Sequence, residues 1–242
     1  MMRNEDLQQS GQGSATSATV LVWDLPLRVF HWALAAVVLT GIAAINLDNV
    51  DLHVRCGQVV LALVLFRIVW GFVGPEYARF TSFVRGPAAI ASYARSLRRP
   101  PQEFHAGHNP LGGMVVVLML ALLLLQAVSG LFANDDIVTE GPLARFVSKS
   151  VSNAITTLHD ANAWLIIGLI VVHIVAVFVY LIRYRDNLIH PMVTGLKRVP
   201  GEARVTGITG IRPMLALIAI AFSALAAWLA FEVPNWIAPL TF

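Results

Sequence analysis

Five long apolar runs separated by polar stretches dominate the pattern of this chain, at roughly residues 29–47, 56–72, 111–133, 161–182 and 213–231. Each is close to the roughly 20 residues that carry a helix across a bilayer. None shows the alternation of a barrel strand, so the pattern predicts transmembrane helices. Four of the runs hold no Asp, Glu, Lys or Arg, and the second holds one, Arg67. The predicted fold is an all-α integral membrane protein: a four-helix transmembrane bundle with a fifth, C-terminal transmembrane helix. Residues 1–19, rich in Gln, Ser, Thr, Gly and Asn, read as a disordered tail. Residues 20–200 form the transmembrane domain, and 201–242 a linker and the added helix. The first run is too long for a signal-peptide core and no small-residue cleavage site follows it, so it is expected to stay in the protein.

Composition agrees. Of 242 residues, 57% are hydrophobic and 13% charged, and the charged share is about half that of a soluble domain. This excludes a disordered chain, a nucleic-acid binder and an ordinary cytoplasmic enzyme, and makes membrane lipid the expected surroundings. The net charge of +3 matters through its placement. With five spans, fourteen of the seventeen Lys and Arg fall on the side of the N-terminus. The positive-inside rule then predicts a cytoplasmic N-terminus and a C-terminus outside. The single cysteine, Cys56, excludes an internal disulfide, a Cys-x-x-Cys metal knuckle and covalent Cys-x-x-Cys-His haem attachment.

Seven histidines remain as candidate chemistry. His31 and His173 lie within apolar spans, and His53 and His159 are placed at the outer ends of the second and fourth. His159 and His173 are 14 residues apart, so they share one helix face about 21 Å apart along the axis. With His31 near the inner start of the first helix, two pairs at two depths follow: His31 with His173, and His53 with His159. A pair of histidines on facing helices is a site for a six-coordinate haem in a bundle core; a lone intramembrane histidine also serves as a helix–helix hydrogen-bonding group. The inner pair carries a tension. His31 is three residues from Arg28, whereas His173 is ten from Arg183. Equal depth would require the first helix to begin near Val20 or the fourth to run past Arg183.

Smaller features accompany the histidines. Gly41, Gly57, Gly113 and Gly130 lie in or at the ends of the first three helices, where a small residue admits a macrocycle or another backbone. Arg55 and Arg67 have the geometry to pair carboxylates bidentately, or simply snorkel to the interface. His108 precedes Asn109 and Pro110, a helix-entry turn, and is a candidate donor to a propionate or a quinone carbonyl. His105 and His190 read as loop histidines.

These residues resemble the bacterial di-haem cytochrome b561 family, which includes the cytochrome b subunits of nickel–iron hydrogenases. The resemblance covers roughly residues 20–200. It rests on Val22-Trp23-Asp24-Leu25-Pro26 leading into Arg28-Val29-Phe30-His31-Trp32, then on His53 and Gly57, and on Arg67-Ile68-Val69-Trp70-Gly71-Phe72. It continues through Gly107-His108-Asn109-Pro110-Leu111-Gly112, Leu158-His159, His173-Ile174 and Met192-Val193-Thr194-Gly195-Leu196-Lys197. It implies two b haems with His31, His53, His159 and His173 as iron ligands, in the cytoplasmic membrane of a bacterium. It further implies exchange of electrons with quinone or quinol and with a redox partner such as a cytochrome c, a hydrogenase or a dehydrogenase subunit. Two other readings stay open: a self-contained superoxide:quinone oxidoreductase, and a haem-free transporter or scaffold. The fifth helix is absent from the shortest family members and is expected to offer a partner surface.

Overall fold

The computed structural model describes residues 18–98, 104–135, 139–199, 205–208, 210 and 212–237. Five helices are long and apolar enough to cross a membrane: α1 (Leu25–Asn46), α2 (Val50–Val73), α5 (Pro110–Gly130), α6 (Lys149–Arg183) and α8 (Pro213–Ile237). Between them stand three short helices, α3 (Phe80–Phe83), α4 (Pro87–Ser96) and α7 (Ile189–Thr194), and two strands, β1 (Ala18–Leu21) and β2 (Leu196–Val199). The helix starts follow capping chemistry. Asn49 accepts from Leu52 N, Asn109 from Gly112 N and Ser148 from Val151 N, each occupying an orphan first-turn amide. Pro26 and Pro110 sit in the first turns of α1 and α5, where a missing N–H costs nothing.

Packing runs α1 on α2, α2 on α5 and α8, and α5 on α6. The α1–α6 side has no comparable seam, so the four-helix ring is open on one flank. The added helix closes the back of α2. Its buried Ala216, Ala219, Ser223 and Ala227 form a small-residue stripe at spacings of three and four, the kind that lets two membrane helices approach closely. At least this face of α8 is therefore used within the chain.

Three boundaries differ from the sequence reading. Ala18 and Thr19, assigned above to the tail, belong to β1, which pairs antiparallel with β2 from Ala18 opposite Val199 to Leu21 opposite Leu196. The rest of the tail, residues 1–17, lies outside the described residues, as does 200–204 of the linker. The described linker is anchored: Ile208 N donates to Leu21 O and Tyr77 Oη to Thr206 O. Second, α6 begins at Lys149, so His159 lies ten residues inside it rather than opening it. At 35 residues it is roughly 50 Å long, well beyond the bilayer core of about 30 Å. Its polar first turns stand outside the apolar zone and tie to the preceding loop, with Asn134 Nδ2 donating to Asn153 Oδ1 at 3.0 Å.

The third difference resolves the depth tension without either adjustment. Helix α1 starts at Leu25 and α6 stops at Arg183. Arg28 does not mark the membrane surface: its Nη1 donates to Val193 O, and Trp32 Nε1 donates to Met192 O at 3.2 Å. Thus α7 and the β pair form a layer over the start of α1. Beside that layer α6 runs on, with Tyr180 Oη bonded to Tyr93 of α4 at 2.9 Å and to Asn109 Nδ2 at 3.0 Å. Tyr184 Oη donates to Leu97 O at 2.9 Å.

Gly195 holds this layer. Its φ of 85° suits glycine, its carbonyl accepts from Val22 N and Trp23 N, and a Cβ there would stand 2.6 Å from Trp23 O. Gly195→Ala is expected to lower the melting temperature, with the left-handed backbone alone costing about 1–2 kcal/mol. Gly168→Ala, where a Cβ meets nothing within 4 Å, should leave the melt unchanged in the same assay.

Candidate functional site

The four intramembrane histidines come together as two pairs. His31 of α1 and His173 of α6 have ring centroids 6.4 Å apart. His53 of α2 and His159 of α6 have theirs 6.2 Å apart. Two imidazoles bonded to one metal through opposed nitrogens, at about 2 Å each, stand with their centres roughly 6 Å apart. All four rings are half-buried, on helices whose mutual flank lacks a tight seam. Among the described residues no three His, Cys, Asp or Glu gather as a bare metal ion would need. Pairs of opposed imidazoles match instead a group that brings its own equatorial ligands, which is what haem does.

The inner pair is His31 with His173, near the N-terminus of α1 and toward the C-terminus of α6. Helix α2 repeats the spacing of α6: His53 and Arg67 are 14 residues apart, as are His159 and His173, and both helices run the same way. Arg67 therefore stands level with the inner pair. It is 2% exposed, and both Nη1 and Nη2 are enclosed without a hydrogen-bond partner. Its flanks are the rings of Phe80 and Phe83, 5.2 and 5.8 Å from Cζ. His108 sits between Trp23 and Phe83, each 4.7 Å away with the rings tilted, and its Nδ1 is also enclosed and unpartnered. Burial, and then the nearby Arg67 charge, push the His108 imidazole down to about 3, so the ring is neutral at physiological pH. Three enclosed donor-capable nitrogens with no acceptor are a costly arrangement. A haem with its carboxylates at this level would satisfy them, so the residues present fit the group.

Neighbouring Asp24 completes this end. Trp70 Nε1 donates to its Oδ2 at 2.9 Å, and burial raises the carboxyl above its ordinary range, opposed by that bond and the more distant Arg67. Beyond His108 lies a cavity of about 380 Å³ whose walls include Glu76, Tyr77, Ser82, Arg85 and His105. The helix-entry reading of this stretch also holds, since Asn109 caps α5.

The outer pair is built differently. His53 Nδ1 is 2.9 Å from Gly41 O, a carbonyl that can only accept, so Nδ1 carries the proton and Nε2 the lone pair. Sequence reasoning missed the surroundings of His159: Ser129 Oγ lies 3.0 Å from its Nδ1 and Gln126 Nε2 lies 2.9 Å from its Nε2. Buried Asn162 donates to Gln126 Oε1 at 2.7 Å and to Leu122 O at 2.9 Å. The available signal was three neutral polar residues inside otherwise apolar spans. Arg55, two residues from His53, is exposed and about 200° around the helix, so it faces away from the pair.

The glycines divide. A Cβ at Gly41 would stand 3.2 Å from Cys56 Cβ, at Gly130 3.1 Å from His159 Cε1, and at Gly113 2.7 Å from Phe83 O. Those three serve close approach. Gly57, one turn from His53, faces open space, consistent with room for a macrocycle. His105 and His190 lie in the layer at the N-terminal face: Lys197 Nζ donates to His105 O, and His190 stands in the first turn of α7.

Comparison with known proteins identifies a family. The family model of prokaryotic cytochrome b561 matches residues 22–195, which contain all four paired histidines, Arg67 and His108. Among curated proteins, the chain is similar to the probable Ni/Fe-hydrogenase B-type cytochrome subunit of Rhizobium leguminosarum bv. viciae, at 27% identity over 76% of this chain and 91% of the relative. The subunit of the same name in Bradyrhizobium diazoefficiens is 25% identical, over 77% of this chain and 89% of the relative. No solved structure matches the chain.

Proposed function

The chain belongs to the prokaryotic cytochrome b561 family, a b-type cytochrome that carries electrons across a membrane, and from that premise we propose a two-haem path between the quinone pool and a redox partner. His31 with His173 and His53 with His159 would each hold a haem between two imidazoles, and haem so held would supply one-electron iron chemistry suited to transfer and not to oxygen activation. The observation that carries the reading is the pair of opposed imidazole couples, 6.4 and 6.2 Å between centroids, at two levels of the same helices.

The residues divide the work. The four histidines bind and orient, and the apolar faces of α1, α2, α5 and α6 exclude water. Arg67 and His108 receive the carboxylates of the inner group. The cavity beside His108 is where this reading places the quinone ring, one step from the inner pair. With fourteen of seventeen basic residues on that side, the N-terminus is cytoplasmic and the partner docks on the opposite face. The relatives' names favour a hydrogenase as that partner.

The test is a haemochrome assay on purified chain, followed by addition of a reduced short-chain quinone. Two b haems per chain, both reduced by the quinol, are expected. A colourless protein, or haems that no quinol reduces and no quinone oxidises, would overturn the proposal.

A further inference from the structure

Helix α5 contributes no ligand to either pair, yet it decides the hydrogen bonding of His159. Ser129 Oγ has one proton, and it donates that proton to Gln126 O at 3.1 Å. Toward His159 the hydroxyl oxygen is therefore an acceptor, and the ring must carry its proton on Nδ1, 3.0 Å away. The same tautomer is imposed from the other side. Asn162 uses both amide hydrogens on Leu122 O and Gln126 Oε1. That fixes the Gln126 amide with its N–H toward His159 Nε2 at 2.9 Å, so Nε2 holds a lone pair. In this arrangement Gln126 occupies that lone pair, and its amide must turn aside for His159 Nε2 to bind iron, while the Nδ1–H bond to Ser129 is unaffected.

The two pairs are thus unequal. In the outer pair both rings give Nδ1–H to an oxygen: His53 to Gly41 O at 2.9 Å and His159 to Ser129 Oγ at 3.0 Å. In the inner pair His31 Nδ1 is buried without a partner, and among the described residues the His173 ring makes no hydrogen bond. The inner pair instead shares its level with the enclosed Arg67 guanidinium. An acceptor on the distal N–H makes an imidazole a stronger electron donor to its metal and favours the ferric state. A buried positive charge favours the form with one positive charge fewer, the ferrous state. Both effects separate the sites in the same direction.

We propose that Ser129 is a positioning residue for the outer haem, and that its hydrogen bond to His159 holds the ferric–ferrous couple there below that of the inner haem. The inference rests on the two-haem reading above. Each couple takes up one electron, ferric to ferrous, so an optical redox titration of the intact two-haem chain resolves two one-electron components. His53→Ala, which removes an outer ligand, should delete the lower component and identifies it.

Ser129→Ala should then raise the lower midpoint and leave the upper one in place. A tenfold rise in the ferrous-to-ferric ratio at fixed potential, about 59 mV for one electron, is the expected scale. Ser129→Thr keeps the acceptor and should restore the original value, whereas Ser129→Cys, a weaker acceptor, should shift it part of the way. If Ser129→Ala loses the outer haem, the Cys and Thr variants decide: a shift in Cys with none in Thr upholds the proposal. It is overturned if the lower component survives His53→Ala, or if the Ser129 variants leave both midpoints unmoved or move both together. Those results are read with two haems counted in the wild-type chain, so they are distinct from failure of the two-haem reading, which appears as a lower haem count.

Discussion

Alanine at His173 is expected to remove one of two b haems and to spare the other, and alanine at His53 to do the same at the opposite level. The expectation follows from geometry. Each pair is one histidine from α6 and one from α1 or α2, and among the described residues no third His, Cys, Asp or Glu gathers with either pair to replace a lost ligand. The levels are about 21 Å apart along α6, too far for one histidine to serve both. A haemochrome assay should therefore read one haem per chain in each single variant and none in the double variant. Thermal unfolding should follow the count. The α1–α6 flank has no seam comparable to the others, so haem bound there would supply much of its closure, and a ligand at a thousand times its dissociation constant adds about 4 kcal/mol to stability. Two haems retained in both single variants would sink the ligand assignment.

These residues were legible in the sequence because a charged or ligating side chain is conspicuous in an apolar run. All five spans, the four histidines and their pairing could be read from spacing alone. What could not be read falls into two kinds. The pairing of β1 with β2 joins residues more than 170 positions apart, and nothing in four-residue strands announces a partner. That pair, with α7, also explains why Arg28 misled as a depth marker, since its guanidinium is taken up by Val193 O rather than by the interface. The second kind was visible but averaged away. Gln126, Ser129 and Asn162 are neutral and lie among leucines and valines, so a hydropathy window passes over them although each is placed to bond across helices. The fifth helix was likewise legible as a span but not as a neighbour of α2, because a stripe of alanines and one serine is also ordinary lipid-facing sequence.

Replacing Arg67 by methionine should have opposite consequences with and without haem. In the haem-free chain Arg67 is 2% exposed, and among the described residues its two terminal nitrogens find no acceptor. A buried charge without a hydrogen-bonded partner, offset only through the field of Asp24, destabilises, and apolar replacement of buried ionic groups has raised stability by about 1–4 kcal/mol. Methionine keeps an unbranched stem out to the position of Nε, so the stem's packing survives while the contact of Cζ with Phe80 and Phe83 is given up. Arg67→Met is thus expected to melt higher than wild type as apoprotein. With haem the order reverses, because the carboxylates that satisfy Arg67 are left facing a thioether. Removing a supporting contact of this type weakens metal-group binding about 10–100-fold, and the loss should be confined to the inner haem. Transfer of haem to an excess of apomyoglobin would show it as one fast and one unchanged release phase. A variant less stable than wild type in both states would mean that Arg67 is satisfied within the chain and has no part in holding the inner group.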